Sequence, residues 1–166
     1  MRLSIERGRV IDPASGLDAA TDLHVADGRI VAIGAPPAGF HADRVIAADG
    51  LVVGPGLIDL AARLREPGFE YKASLESEMA AAMAGGITGL VCPPDTDPPL
   101  DEPGLVEMLK YRARGLDQAR LYPVGALTVG LKGEVLTEMA ELTEAGCVGF
   151  SHAGAPIVDT QVLLRA

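Results

Sequence analysis

The sequence has few of the residues that stabilise small secreted or metal-bound domains. Only two cysteines, Cys92 and Cys147, occur in 166 residues, and neither belongs to a CxxC pair. A disulfide framework and a zinc knuckle therefore lack support, and both cysteines are predicted to be small buried core residues. Tryptophan is absent and aromatic residues make up 4% of the chain, so the core must be aliphatic.

Positive charge and long apolar runs are also scarce. The 14 basic residues are outnumbered by 23 acidic ones, which gives a formal net charge of −9. Nucleic acid is not expected as a partner, because phosphate backbones are bound by basic surfaces. No run approaches the roughly 20 apolar residues that span a bilayer, and the N-terminus lacks the apolar core of a signal peptide. We therefore expect a cytoplasmic protein without a membrane partner, and homo-oligomerisation stays open.

Residues 1–54 are predicted to form a small β-rich domain. The segment "DLHVADGRIVAIG" places Asp27 and Gly28 between two apolar runs, which indicates a two-residue hairpin turn. A second turn is expected at Asp49 and Gly50, between two further short strands.

Residues 55–166 are predicted to alternate parallel strands with helices. The predicted strands are Leu57–Leu60, Ile87–Cys92, Leu121–Leu127 and Cys147–Ser151, and the predicted helices are one capped by Ser74, one after Pro103 and one over 136–145. This order favours an α/β fold with strands buried on both faces and with the functional loops after the strands.

Four strand–helix units amount to half of an eight-stranded barrel. An open half barrel would leave strand edges unpaired, so the chain is expected to be truncated relative to its natural length. The final stretch "IVDTQVLLRA" predicts the opening of another helix, which agrees with that expectation.

Several motifs recur in one known family. In chain order they are "GRVIDP", "PGLIDL", "LREPG", "AGGIT", "ALTVGLKGEVLTEMAEL" and "AGCVGFS". In these motifs the chain resembles the dihydroorotases of the amidohydrolase superfamily, in the branch shared with hydantoinases and allantoinases. The resemblance implies an α/β fold, namely the first half of a (β/α)8 TIM-type barrel with a small N-terminal β-sandwich segment.

The resemblance also identifies positions where active relatives bind zinc. In those relatives the first strand ends in His-x-His, and the matching residues here are Ala61 and Arg63. A further ligand is an Asp in a Ser-Asp-Asp-Gly pattern, where this chain has Ala153. A methyl group offers no lone pair and a guanidinium repels a cation, so no zinc or other cofactor is expected. The nearby His152 is interpreted as an ordinary surface or loop residue.

Two residues match positions that contact substrate in the family. Arg65 matches the arginine that pairs with the substrate carboxylate, and Asp95 replaces an asparagine. Both are predicted to be vestigial substrate-binding residues, and no catalytic residue is assigned. The alternative for Arg65 is a structural ion pair with Glu66 or Glu70.

Two weaker patterns are given ordinary structural interpretations. The glycine-bearing segment "GLKGE", residues 130–134, is predicted to be a plain turn rather than an anion site. Lys110, Arg112 and Arg114 are predicted to form the solvated face of a helix.

Three functional hypotheses follow from these residues. The favoured one is a pseudoenzyme of pyrimidine biosynthesis, because the departures resemble those of inactive dihydroorotase-like homologues that accompany aspartate carbamoyltransferase. The second is an active zinc-dependent dihydroorotase, or another cyclic amidohydrolase, with atypical ligands. The third is a metal-free small-molecule sensor that uses Arg65.

Overall fold

The computed structural model describes all residues from Met1 to Ala166, which divide into two compact units. The first unit is Met1–Pro55 and the second is Gly56–Ala166. The longest helix in either unit has 13 residues, and none of the helices has the length and apolar character that crossing a membrane would require.

The first unit consists of one five-stranded sheet. Its strands are β1 (Arg2–Asp12), β2 (Leu17–Ala26), β3 (Arg29–Ile33), β4 (Arg44–Ala47) and β5 (Val52–Val53). They are arranged in the order β3-β2-β1-β4, with β5 also paired to β1. The expected β-rich character is observed, but residues 1–55 form a single sheet and not the two packed sheets of a sandwich.

The hairpin turns of this sheet lie where the sequence places them. Asp27 and Gly28 connect β2 to β3 with φ angles of 51° and 71°, the left-handed values that a tight hairpin of this kind requires. Inside the sheet, His24 is buried, and both of its ring nitrogens have hydrogen-bond partners that compensate for the loss of water. Nδ1 lies 2.9 Å from the Ser4 hydroxyl, and Nε2 lies 2.9 Å from the Gly34 carbonyl.

The second unit alternates strands and helices as expected. Its strands are β6 (Leu57–Asp59), β7 (Ile87–Cys92), β8 (Arg120–Pro123), β9 (Gly125–Ala126) and β10 (Phe150–Ser151). Its helices are α1 (Leu75–Ala84), α2 (Pro103–Gly115), α3 (Met139–Ala145) and α4 (Thr160–Arg165), with one 3-10 turn at Val129–Leu131. The helix predicted near the end of the chain is therefore present.

All strand pairs in this unit are parallel. β6 pairs with β7, β7 pairs with β8, and β9 pairs with β10. The Val148 amide also donates to the Pro123 carbonyl at 2.9 Å, which continues the contact between neighbouring strand segments. These strands form open parallel sheets, and a closed barrel is not observed.

The core of the second unit lies between the strands and the helices. Leu90 and Cys92 of β7 and Leu121 of β8 pack with apolar residues of α1, α2 and α3. Ile58 of β6 lies outside this cluster and is 61% exposed. The prediction of strands buried on both faces is therefore wrong for β6, because none of its three residues is buried.

Local sequence signals fix where α1 begins and ends. The Ser74 hydroxyl accepts from the Ser77 amide, and the Ser77 hydroxyl accepts from the Ser74 amide, which completes a capping box. The helix ends at Gly85, whose amide donates to the last carbonyls.

A buried carboxylate connects the loop after β6 to two helices. Glu66 is 2% exposed, and its Oε2 accepts from the Leu75 amide at the start of α1 at 2.8 Å. Its Oε1 has no regular hydrogen bond but forms an ion pair with the Arg112 guanidinium of α2. Arg112 is thus paired with a buried acid while 52% of its own side chain stays exposed, so it lies on the solvated helix face predicted from the sequence.

Replacing Glu66 with Ala should lower the free energy of unfolding by about 1–3 kcal/mol, because the buried Leu75 amide loses its acceptor. Glu66→Gln should cost less, since an amide oxygen can still accept from Leu75. Urea unfolding of the native protein measures both changes, with exposed Glu107→Gln as the matched control. Equal losses for Glu66→Ala and Glu107→Gln would contradict the role of Glu66.

Candidate functional site

The loops that follow the parallel strands define one candidate site. The carboxyl ends of parallel strands lie at the same edge of a sheet, so residues in these loops are brought close together. Ala61–Arg65 follow β6, Asp95 follows β7, Thr128 follows β9, and His152 and Ala153 follow β10. The residues singled out from the sequence therefore share this edge.

Ala61 and Arg63 are the residues that match the His-x-His ligands, and an ion pair joins Arg63 to the loop after β7. The Arg63 Nε donates to the Asp95 Oδ2 at 2.7 Å, with 46% and 31% of the two side chains exposed. The hydrogen bond from Arg63 to Asp95 raises the pKa of Arg63 above its ordinary value, and the Coulomb attraction adds to that effect. Ala61 contributes only a methyl group, and its amide donates to Asp59 Oδ1 at 2.9 Å.

Arg65 forms neither of the ion pairs considered from the sequence. Glu66 is held by Arg112, and both carboxylate oxygens of Glu70 accept from the Gly68 amide at 3.0 Å. Arg65 has a φ of 64°, and its carbonyl accepts from the Phe69 amide at 2.8 Å. The ion-pair alternative is therefore wrong, because nearer groups satisfy both acids.

A cavity of about 480 Å³ lies beside the β6 loop. Arg63 and Arg65 line it together with Asp59 and with Glu78 of α1. The volume falls within the range of small-molecule sites, and the lining charges are two of each sign. Of the two guanidinium groups, Arg63 is paired with Asp95 and Arg65 has no ion-pair partner.

His152 is a buried structural residue. Its Nε2 lies 2.7 Å from the Thr128 hydroxyl, and its Nδ1 lies 2.8 Å from the Ala155 carbonyl. The carbonyl can only accept, so Nδ1 donates to it and Nε2 accepts from Thr128. The interpretation as a loop residue is correct, but a surface position is wrong because His152 is 7% exposed. Neither ring nitrogen is available to a metal.

The loop around Thr128 is held by internal hydrogen bonds. The Thr128 hydroxyl, which is fully buried, also accepts from the Gly133 amide at 2.9 Å, and the Gly130 amide donates to Asp101 at 2.7 Å. Amides that could have contacted an anion are thereby used within the chain. The prediction of a plain turn at 130–134 agrees with this geometry.

Ala153, which matches the aspartate ligand of active relatives, has no side-chain oxygen. Ala153 has a φ of 50°, and its amide donates to the Ser151 hydroxyl at 3.0 Å. Across residues 1–166, no three His, Cys, Asp or Glu side chains are grouped so that they could hold a metal ion. With Ala61, Arg63 and Ala153 at the matched positions, the side chains present do not fit zinc.

Both cysteines are buried and unpaired with each other. Cys92 is 1% exposed and Cys147 is 7% exposed. Burial raises the pKa of each thiol to about 11, so both remain neutral core groups at physiological pH. This confirms their assignment as core residues.

Solved structures with the same arrangement of elements include two hydantoinases. The L-hydantoinase of Arthrobacter aurescens matches with a TM-score of 0.75 at 26% identity, over 97% of this chain and 36% of that chain. A D-hydantoinase matches with a TM-score of 0.72 at 22% identity, over 99% and 36%. The fold is therefore that of part of an amidohydrolase-superfamily protein.

Sequence comparisons assign the chain to one family within this superfamily. The model of the family described as "Dihydro-orotase-like" matches residues 50–164, and this chain belongs to that family. It is 51% identical to a "Dihydroorotase-like protein" of Pseudomonas putida and 45% identical to a "Dihydroorotase" of Pelobacter propionicus, in both cases over 100% of this chain and 39% of the relative. The chain thus spans about two fifths of the length of these relatives.

Thr128→Val should destabilise the protein by about 1–3 kcal/mol, because the Gly133 amide and His152 Nε2 lose the hydroxyl that satisfies them both. Urea unfolding measures the loss. Thr143→Val is the control, since that hydroxyl is exposed and bonds only within α3 to the Met139 carbonyl. If the two variants unfold at the same urea concentration, the network around His152 does not hold this loop.

Proposed function

We propose that this chain is part of a non-catalytic dihydroorotase-like protein of pyrimidine biosynthesis, which acts as a partner of aspartate carbamoyltransferase. The observation that supports this most strongly is the Arg63–Asp95 ion pair at the end of β6. Arg63 places a permanent cation at a position that matches a zinc ligand of active relatives. Its guanidinium pairs with Asp95 in the loop after β7.

Electrostatics explain why this substitution opposes metal binding. A divalent cation about 4 Å from a guanidinium would be repelled by about 8 kcal/mol at an effective dielectric constant near 20, before further screening by solvent. Apparent zinc-binding energies of structural sites are about 10–16 kcal/mol, so this repulsion is a large part of the total. The Asp95 carboxylate beside Arg63 offsets part of this repulsion, and the absence of ligating atoms at Ala61 and Ala153 opposes metal binding further.

The names of relatives are consistent with either a catalytic or a non-catalytic member. The Pseudomonas putida and Pseudomonas aeruginosa proteins, at 51% and 50% identity, are called dihydroorotase-like, whereas the Pelobacter propionicus protein at 45% is called a dihydroorotase. The ligand positions support the non-catalytic member. An active zinc enzyme would need atypical ligands in place of Ala61, Arg63 and Ala153.

The hydrolase and scaffold hypotheses predict different properties of the native protein. We expect substoichiometric zinc by elemental analysis and no dihydroorotate hydrolysis above the uncatalysed rate, because the ligand positions carry no suitable donors. An active dihydroorotase, purified in the same buffers, is the control. Stoichiometric zinc with turnover would refute the non-catalytic assignment.

The proposed association with aspartate carbamoyltransferase is tested by a separate experiment. Co-expressed aspartate carbamoyltransferase should co-elute with the native protein in size-exclusion chromatography and should form a smaller assembly when expressed alone. An unchanged elution volume of the transcarbamoylase would remove the scaffold role while leaving the question of catalysis to the assay above.

Arg65 supports a second candidate function, the binding of a small carboxylate without chemistry. It is the unpaired guanidinium of the 480 Å³ cavity, and guanidinium forks bind carboxylates in two-point contacts. A metal-free sensor of dihydroorotate or carbamoyl aspartate is consistent with such a residue.

Isothermal titration calorimetry with dihydroorotate and with carbamoyl aspartate tests the sensor. Arg65→Ala should weaken any saturable binding by about tenfold or more, since a charge-assisted hydrogen bond is lost. Arg44→Ala, which removes an exposed cation from β4 of the other unit, should leave affinity unchanged. An absence of binding to either compound at millimolar concentration would eliminate the sensor.

A further inference from the structure

A second cavity lies at the other end of the strands, beside the start of β8. Its volume is about 560 Å³, and it is bordered by the last turns of α2, the segment leading into β8 and the end of α3. The loops of the candidate site follow the carboxyl ends of the strands, whereas this cavity adjoins the residue with which β8 begins, Arg120.

Positive charge is concentrated at this cavity. Lys110, Arg114 and Arg120 line it, and Asp117 is the one acidic residue among the lining side chains. The whole chain has 14 basic and 23 acidic residues, so a local excess of cations runs against its overall balance. Such an excess inside a concave surface favours an anionic ligand.

The backbone brings Lys110 to the cavity. Lys110 and Arg114 are four residues apart on α2 and therefore share one helix face. The Lys110 ammonium donates to the Ala145 carbonyl at 2.7 Å. It passes so close to Gly146 that a Cβ atom on that residue would clash with the ammonium. The ammonium thus stabilises the end of α3, and two of its three N–H groups remain for a ligand.

Arg114 and Arg120 have no backbone carbonyl partner of the kind that Lys110 has. Neither Arg114 nor Arg120 forms an ion pair, and neither side chain donates a hydrogen bond within residues 1–166. Both are exposed, so solvent hydrates them in the absence of a ligand. The solvated face predicted for α2 from the sequence therefore describes Arg114 correctly, but Lys110 is part-buried and hydrogen-bonded.

One acceptor in the cavity wall lacks a donor. Gln118 lines the cavity, and its Oε1 is inaccessible to solvent without any hydrogen-bond partner. A buried amide oxygen without a donor costs about 1–3 kcal/mol. A ligand that carries a proton-donating group would remove this cost.

We propose that this cavity binds a hydrogen-phosphate group, whose oxygens are contacted by Lys110, Arg114 and Arg120 and whose P–OH donates to Gln118 Oε1 once that side chain turns toward the cavity. Guanidinium groups bind phosphate in two-point contacts, and the ammonium adds a point charge. The group is supplied either by free phosphate or by the protonated end of a phosphate monoester. This proposal is independent of the function proposed for the strand-end loops.

Discrimination between phosphate and sulfate tests the role of Gln118. At about pH 8 both are dianions, but only phosphate retains a proton to donate. Calorimetry with the native, full-length protein should show saturable binding of phosphate and about tenfold weaker binding of sulfate. Gln118→Met should reduce phosphate affinity to the sulfate level. Equal affinities in the unmodified protein would overturn the assignment to Gln118.

Charge removal tests the anion site itself. The double variant Arg114→Gln and Arg120→Gln should lose about a hundredfold or more in phosphate affinity, whereas Arg29→Gln, which removes an exposed cation from β3, should lose none. Unfolding curves establish that each variant is folded. No saturable phosphate binding by the unmodified protein, or unchanged affinity in a folded double variant, would overturn the proposal.

A comparison with glycerol 3-phosphate at about pH 5, where both the ester and inorganic phosphate carry a P–OH group, identifies the source of the group. Tighter binding of the ester than of inorganic phosphate supports a phosphorylated small molecule as the ligand, and the reverse order supports free phosphate. In either case the double arginine variant must lose the binding, which distinguishes this cavity from other cationic surfaces of the protein.

Discussion

The buried Glu66 carboxylate is the interaction on which the geometry of the strand-end loops depends. It lies in the loop after β6, accepts from the first amide of α1 and pairs with Arg112 of α2. The loop after β6, the start of α1 nine residues later and the distant helix α2 thus meet at one charged group that has 3% of its side chain exposed. A carboxylate buried in this way must be paired, so the loop that contains Arg63 and Arg65 is fixed by the packing of two helices.

Pairs of side chains connect the ends of neighbouring strands at the candidate site. Arg63 joins the β6 loop to Asp95 in the β7 loop, and His152 joins the β10 loop to Thr128 after β9. In a metalloenzyme a shared ion can connect such loops through its ligands. Here charge pairing and a buried imidazole make these connections, which is consistent with a protein that retains the loop arrangement for a purpose other than metal chemistry.

Local chemistry was sufficient to predict most elements of the fold. The Asp27-Gly28 turn, the Ser74 cap and the glycines after α1 and α3 act within a few residues, so the hairpin and the ends of these helices lie where the sequence predicted them. The start of α3 does not, because the helix predicted from residue 136 begins at Met139. The matched ligand positions came from the resemblance to dihydroorotases and not from any local signal. The ion pairs could not be predicted, because Arg63 with Asp95 and Arg112 with Glu66 are separated by 32 and 46 positions and are chosen by packing.

By itself, the sequence determined which residue types stand at the ends of the strands, and the resemblance to dihydroorotases implies that a methyl group and a guanidinium stand there in place of two imidazoles. Only the tertiary structure decided which charges are neutralised and which stay free. Glu66, a candidate partner of Arg65 in the sequence, is held by Arg112, and His152 is buried instead of exposed. The physical reason is that burial and pairing depend on which distant segments pack together, and composition and spacing along the chain do not specify that.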